Sequence, residues 1–250
     1  MRILILIITF IAFTSCSKKQ AQDFELKYKN SSIIIEEDNR LKSKDSLRNF
    51  IKHLSATDEK FLYECSSFLI SKNIVLSAAH CVYKNGRLKD VTVSQEFKAK
   101  HIWIAKEYIK KSVTKFDIAL IQLEKDVSSF NTNINLRLES EDVYDLVVNV
   151  AGFSTDKSHE LWQDECVIDI YESNYSINHA CDTVGGVSGA PVFKKGNEPG
   201  SIDIFAIHTS GYRGILMTND AIKITPIISK EIDIVRGSKF GELSFFTQLK

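Results

Sequence analysis

From Phe61 to Ile224 the apolar positions come in short runs, separated by polar segments rich in Gly, Asn, Asp and Ser. Phe68-Leu69-Ile70, Ile74-Val75-Leu76, Val91-Thr92-Val93, Ile102-Trp103-Ile104, Ile118-Ala119-Leu120-Ile121, Val147-Val148-Asn149-Val150, Cys166-Val167-Ile168, Pro191-Val192-Phe193, Ile202 to Ile207 and Ala221-Ile222-Lys223-Ile224 each have the length and composition of a strand. No amphipathic helix of any length lies between them. The pattern therefore predicts an all-β barrel or sandwich, not βαβ units. Periodicity alone does not separate those two. The polar stretch Ser128 to Glu141 divides the strands into two comparable sets. After Pro226 the period changes: Ile227, Ile228, Ile232 and Val235 recur at helical spacing, with Pro in the first turn. A C-terminal helix packed on the second set of strands is expected.

The N-terminus follows another pattern. After Arg2, Ile3 to Phe13 is an apolar run of about eleven residues. That is too short for a helix to cross a hydrocarbon core of ~30 Å, but right for a signal-peptide core. Residues 1–15 are expected to be removed. The run ends in Phe13-Thr14-Ser15-Cys16-Ser17, which resembles a bacterial lipobox with Phe where Leu is usual. Cys16 would then be a lipid-bearing first residue; plain cleavage and release is the alternative. Residues 16–32 are polar and read as a tether or propeptide.

Composition narrows the field. The 250 residues can bury a sizeable core, and the 32 basic and 32 acidic side chains cancel. No global field recruits nucleic acid or an anionic membrane, so membrane contact is expected only through Cys16. With 3 Pro, no low-complexity tract and no solenoid-period repeat, the chain reads as compact, and a monomer is expected. Five Cys less Cys16 leave Cys65, Cys81, Cys166 and Cys181, which allow three pairings. Export favours Cys65 with Cys81 and Cys166 with Cys181, a buried free thiol being the alternative for the second pair. The first would close a loop of about sixteen residues, a constraint of ~3 kcal/mol.

Chemistry is concentrated in Cys181-Asp182-Thr183-Val184-Gly185-Gly186-Val187-Ser188-Gly189-Ala190-Pro191. A hydroxyl on a Gly-flanked turn, with free N–H groups nearby, suits acyl transfer, although a lone Gly-x-Ser-Gly is an ordinary loop sequence. Ser77-Ala78-Ala79-His80-Cys81 upstream offers a base, and Phe116-Asp117-Ile118-Ala119-Leu120 an orienting acid. The order His, Asp, Ser differs from the orders of α/β-hydrolases and subtilisins. His53, His101, His159 and His179 show no metal-ligand spacing and receive no role.

On these motifs the chain resembles the chymotrypsin-like serine endopeptidases. The segment Cys65 to Ile70 through His80-Cys81 is similar to the family's strand, turn and base motif, Phe116 to Leu120 to its acid motif, and Gly186 to Pro191 to its nucleophile motif, with Ala190 where Gly or Ser is commoner. The resemblance implies two antiparallel β-barrels, a first at about 48–128 and a second at about 142–225, with a helix at about 226–237. Together they make a protease domain at 33–237, leaving 238–250 as a tail. It implies that Ser188 attacks, His80 takes and returns the proton, and Asp117 holds the imidazole. The N–H groups of Gly186 and Ser188 would form the oxyanion hole. No cofactor or metal is needed, and the partners are protein or peptide substrates.

The pocket resembles that of bacterial glutamyl endopeptidases. In Phe205-Ala206-Ile207-His208-Thr209-Ser210-Gly211, His208 stands where most of the family has a small or apolar residue, and with Thr183 would bind a substrate carboxylate. Thr209 and Gly211 lie on the strand that flanks the peptide. Cleavage after Glu, or Asp, is expected. Asp182 occupies the position of the acid that directs trypsins to Arg or Lys, so basic specificity is the rival expectation, and a catalytically silent relative that binds through its cleft is another. Val187 lacks the acid of the trypsin-type activation switch. Ile33-Ile34-Ile35-Glu36-Glu37-Asp38-Asn39-Arg40 resembles instead the start of a mature chain freed near Ser32, released from any lipid on Cys16.

Overall fold

Short β-branched runs joined by tight turns cannot each bury a face alone, and here they do so by closing on themselves. The computed structural model describes residues 34–35, 37–58, 61–84, 86–137, 146–170, 174–211, 218–237 and 243–249. The leader, Cys16, the tether and Ile33 lie outside them. The strands are β1 (Leu41–Lys42), β2 (Ile51–Thr57), β3 (Leu62–Leu69), β4 (Ile74–Ser77), β5 (Asp90–Val93), β6 (Phe97–Ala105), β7 (Ala119–Leu123), β8 (Asn133–Leu136), β9 (Val147–Ser154), β10 (Glu160–Ile170), β11 (Ser176–His179), β12 (Pro191–Lys195), β13 (Ser201–Gly211), β14 (Asn219–Lys223) and β15 (Phe246–Leu249). A two-residue hairpin, Tyr83–Lys84 with Arg87–Leu88, stands apart.

Two antiparallel barrels result. In the first, β2, β3, β4, β7, β6 and β5 follow one another and β5 returns to β2. In the second, β9, β10, β11, β14, β13 and β12 close through β12 on β9. Closure removes the exposed sheet edges that a sandwich would leave. Each barrel also receives a strand from the far end of the chain's path. β1 pairs with β10 of the second barrel, and β15 pairs with β6 of the first.

The polar divide at 128–141 is not wholly loop: β8 lies in it and pairs in parallel with β13. Asp203, buried beside this ladder, accepts from Asn135 Nδ2 at 2.9 Å and from Arg137 at 2.7 Å, which is why a polar segment is retained there.

The C-terminal helix runs Pro226–Arg236, with Thr225 as its N-cap. Ile228, Ile232 and Val235 are buried in the larger of two core clusters. That cluster runs from the first barrel through Phe193, Ile204 and Ile224 of the second. The helix therefore seals the seam between barrels and not the second alone. The residues expected to form a plain tail are integrated as well. Glu231, 3% exposed, accepts from Ser244 N (2.7 Å), Ser244 Oγ (2.6 Å), Phe245 N (2.7 Å) and Phe246 N (2.9 Å), fixing the start of β15. Burial pushes its pKa up, but these donors outweigh burial and hold the carboxyl below the ordinary value.

Glu231→Gln keeps the volume and removes the charge. We expect it to cost about 2–3 kcal/mol, the scale of hydrogen bonds to a charged acceptor. Since the folded pKa is depressed, the contribution is present above the ordinary value of 4.5 and is lost as pH falls through the lower folded value. Denaturant melts along a pH series check this: wild type and variant should differ most at pH 7, and the gap should shrink progressively as pH falls below 4.5.

Candidate active site

Strand β4 ends at Ser77 and feeds a single helical turn, Ala79–Val82, that carries His80. The turn is held from both sides. The Cys65–Cys81 disulfide ties it to β3, and buried Lys89 donates to the carbonyls of His80 (3.1 Å) and Cys81 (3.0 Å). Lys89 stacks over Tyr63, and burial, with Lys84 nearby, pushes its pKa down to about 8.

Asp117 follows a short 3-10 turn, Thr114–Phe116, just before β7. Its side chain is buried and makes two bonds to one residue. Oδ1 accepts from the His80 backbone N–H at 2.8 Å and Oδ2 meets His80 Nδ1 at 2.6 Å. The bidentate grip fixes both ring position and ring plane. Burial draws the His80 pKa down, but the charge and hydrogen bond of Asp117 outweigh it, and the pKa stands above 6.5.

Ser188 comes from the second barrel, on the turn before β12. Its backbone carbonyl accepts from Ser66 N of β3 at 2.8 Å, so the two barrels meet at this residue. Gly186 and Gly189 have φ of +94° and +87°. A Cβ at Gly189 would sit 2.2 Å from Ser66 O and from Ser77 Oγ, and one at Gly186 would sit 2.4 Å from Phe153 O. Only glycine fits either place. The Ser188 hydroxyl donates to the Thr209 carbonyl at 3.2 Å and is not hydrogen-bonded to His80. Among the described residues, the N–H groups of Gly186 and Ser188 have no acceptor.

The second disulfide, Cys166–Cys181, closes the approach to this turn. Beyond it, Thr183 donates to Asn219 Oδ1 at 2.9 Å. His208 Nδ1 lies 3.1 Å from Nε2 of His179, and both rings are buried. Burial pushes the pKa of His179 down to about 3 and that of His208 well below 6.5, the latter helped by His179 and His80. His179 is a residue that sequence spacing leaves without a role. It lies on β11 and reaches His208 on β13 across β14, the strand with which both pair. Gly211 ends β13 opposite Asn219.

Asp182 is buried, and its carboxylate meets the N-terminal segment: Oδ1 accepts from Ile35 N at 2.6 Å and Oδ2 from Asn39 N at 2.9 Å. The N-terminal segment thus occupies both oxygens of the acid that would have attracted a cation. Arg40, 6% exposed, anchors the same segment by donating to Asp38, Ser154 and Asp156.

The comparisons agree with this layout. The trypsin family model matches residues 41–215. The chain is 28% identical over 176 residues to the extracellular metalloprotease of Bacillus subtilis (strain 168), covering 63% of this chain and 56% of that one. It is 24% identical over 192 residues to the glutamyl endopeptidase of Bacillus licheniformis, covering 70% and 59%. The chain spans less than two thirds of the length of either relative. A solved Glu endopeptidase in complex with MPD superposes with TM-score 0.68 at 18% identity, covering 82% of this chain and 100% of that one. A scabies mite inactivated protease paralogue superposes with TM-score 0.61 at 14% identity, covering 79% and 98%. Structural likeness at such identities reports the fold, here shared by a protease and by an inactivated paralogue. The family model, matched over most of both barrels and all three motifs, reports more: this chain belongs to the trypsin family of serine endopeptidases.

Proposed function

We propose that this chain is an exported serine endopeptidase that cleaves after Glu, or Asp, through an acyl-enzyme. The observation that carries the reading is the clasp of Asp117 on both the backbone and the ring of His80, opposite the Ser188 turn. With Nδ1 donating to the carboxylate, Nε2 is the free base. It takes the Ser188 proton as the oxygen attacks the scissile carbonyl, and the resulting imidazolium is stabilised by Asp117. The N–H groups of Gly186 and Ser188 are left for the oxyanion. His80 then protonates the leaving amine, and water repeats the sequence on the ester.

Acidic specificity is supported by two arrangements. The Asp182 carboxylate is held by two amides of the N-terminal segment, which occupies both of its oxygens and leaves it less able to pair with an Arg or Lys side chain. The His208–His179 pair supports it as well: if His179 Nε2–H donates to His208 Nδ1, His208 Nε2–H remains as a donor for a substrate carboxylate. Peptide-library cleavage tests this. We expect at least about 100-fold preference for Glu over Arg, and His208→Ala should lower kcat/KM on Glu substrates by about 100-fold or more, the cost of an unpaired buried charge. A preference for Arg would overturn the pocket assignment.

The hydroxyl of Ser188 faces Thr209 and not His80, which favours a second reading, a silent binding relative. Fluorophosphonate labelling of Ser188 separates the two. Two disulfides suit an oxidising compartment, and among the described residues no helix is long and apolar enough to cross a membrane. We further propose lipid attachment at Cys16 and release by cleavage near Ser32; N-terminal sequencing of the native protein would show a start at Ile33 if the second step occurs.

A further inference from the structure

Two histidines given no role by sequence spacing come together with an acid where the barrels touch. His53 on β2 and Glu64 on β3 lie on one face of the first barrel, since Ser55 pairs with Glu64 and His53 with Ser66. His159 arrives from the second barrel at the tip of the β9–β10 hairpin. Ser158 and His159 hold φ of 55° and 56°, two consecutive non-glycine residues in the left-handed region. Such a pair persists only where its surroundings fix it.

We propose that His53, Glu64 and His159 form a binding site for one divalent transition-metal ion of the zinc type, joining the two barrels. His53 Nε2 lies 3.6 Å from Glu64 Oε1, and His159 Nε2 lies 3.1 Å from Glu64 Oε2. A tetrahedral zinc ion with bonds of about 2.0–2.2 Å sets its ligands roughly 3.4 Å apart, between these two values. All three ligand atoms lie within 4.8 Å of one another. The other His-containing groups of this kind among the described residues use Cys65 and Cys81, or Cys166 and Cys181, whose sulfurs are already spent in disulfides.

The buried nitrogen points the same way. His53 Nε2 is shielded from solvent and has no hydrogen-bond partner. Its Nδ1 lies 3.4 Å from Ser55 Oγ. In the tautomer with Nδ1 donating to that hydroxyl, Nε2 turns a lone pair toward the Glu64 carboxylate, an arrangement that a cation between them would stabilise. Two imidazoles and one carboxylate are a zinc donor set, with Ser55 as the outer partner of His53.

The ion would be structural and would stiffen the cleft indirectly. Thr155, in the same hairpin as His159, donates from N and Oγ1 to the Gly185 carbonyl, each at 2.9 Å. Ser66, two residues along β3 from Glu64, donates to the Gly186 carbonyl at 2.8 Å. Both anchors of the nucleophile turn therefore start beside the site.

Chelator-treated protein should take up one Zn²⁺ per chain in equilibrium dialysis with elemental analysis, and its Tm should rise with Zn²⁺. His159→Asn and Glu64→Gln should each weaken binding by more than about 100-fold, beyond the range for loss of an outer partner. Both variants should keep the metal-free Tm, and His101→Asn should bind as wild type. Uptake well below one ion per chain would overturn the proposal. So would uptake that survives both substitutions, as Zn²⁺ held by His80 would.

Discussion

Ser188→Ala should lower kcat by about 10⁶-fold, the scale seen when a triad nucleophile is deleted, while leaving the fold in place. The structure shows why the two effects separate. What holds the turn is backbone: the Ser188 carbonyl accepts from Ser66 N, Gly189 N donates to His208 O, and Ala190 N donates to Val187 O. None of these uses the hydroxyl. The one side-chain bond lost is the 3.2 Å contact with Thr209 O, an ordinary neutral bond worth about 1 kcal/mol. For attack, the hydroxyl has to leave Thr209 and enter another staggered χ1 well facing His80. A fluorophosphonate should label the wild type and not the variant, with thermal melts of the two nearly superposed. Proteolysis by the variant at the wild-type rate would reassign the nucleophile.

What the sequence revealed and what it concealed divide along a physical line. Strands rich in apolar residues, such as Ile74–Ser77 and Ala119–Leu123, announce themselves because both faces are buried. Ile51–Thr57 does not, because Lys52, His53 and Ser55 interrupt it and only three of its residues are buried. Asn133–Leu136 is hidden in a polar stretch because its stability comes from pairing with β13 and from bonds to Asp203, not from its own hydrophobicity. Likewise the motifs around His80, Asp117 and Ser188 are legible because each is a local run of residues that punctuates a strand. His179 behind His208, Arg40 on Asp156, and His53 beside His159 are contacts between elements far apart in the chain. They arise from strand pairing and from the packing of elements distant in sequence, and leave no local spacing to read. Asp182 shows the converse: its position was legible and its orientation was not. That depends on the Ile35 and Asn39 amides of a segment about 145 residues away.

Asp117→Asn should cut kcat by about 10⁴-fold, or ~5.5 kcal/mol of barrel-buried orientation and charge. The carboxylate accepts both His80 N–H groups, from the backbone at 2.8 Å and from Nδ1 at 2.6 Å. An amide can keep only one. If its oxygen stays on the backbone N–H, its NH₂ faces Nδ1 and the ring must carry its proton on Nε2, where it cannot accept from Ser188. The pH profile distinguishes this from mere misfolding. In the wild type, Asp117 outweighs burial and raises the His80 pKa above 6.5, so the acid limb of kcat/KM should lie above that value. In the variant, burial acts without its counterweight, and the residual activity should have its limb at 6.5 or lower. A limb that stays put would mean that Asp117 does not set the titration of His80. Stability runs the other way. A raised folded pKa contributes stability that is fully present below 6.5 and is lost as pH climbs through the higher folded value. Over that window the enzyme gains its base as it gives up the ion pair, so a Tm that falls while kcat/KM rises, in wild type and not in Asp117→Asn, would tie both to one proton on one ring.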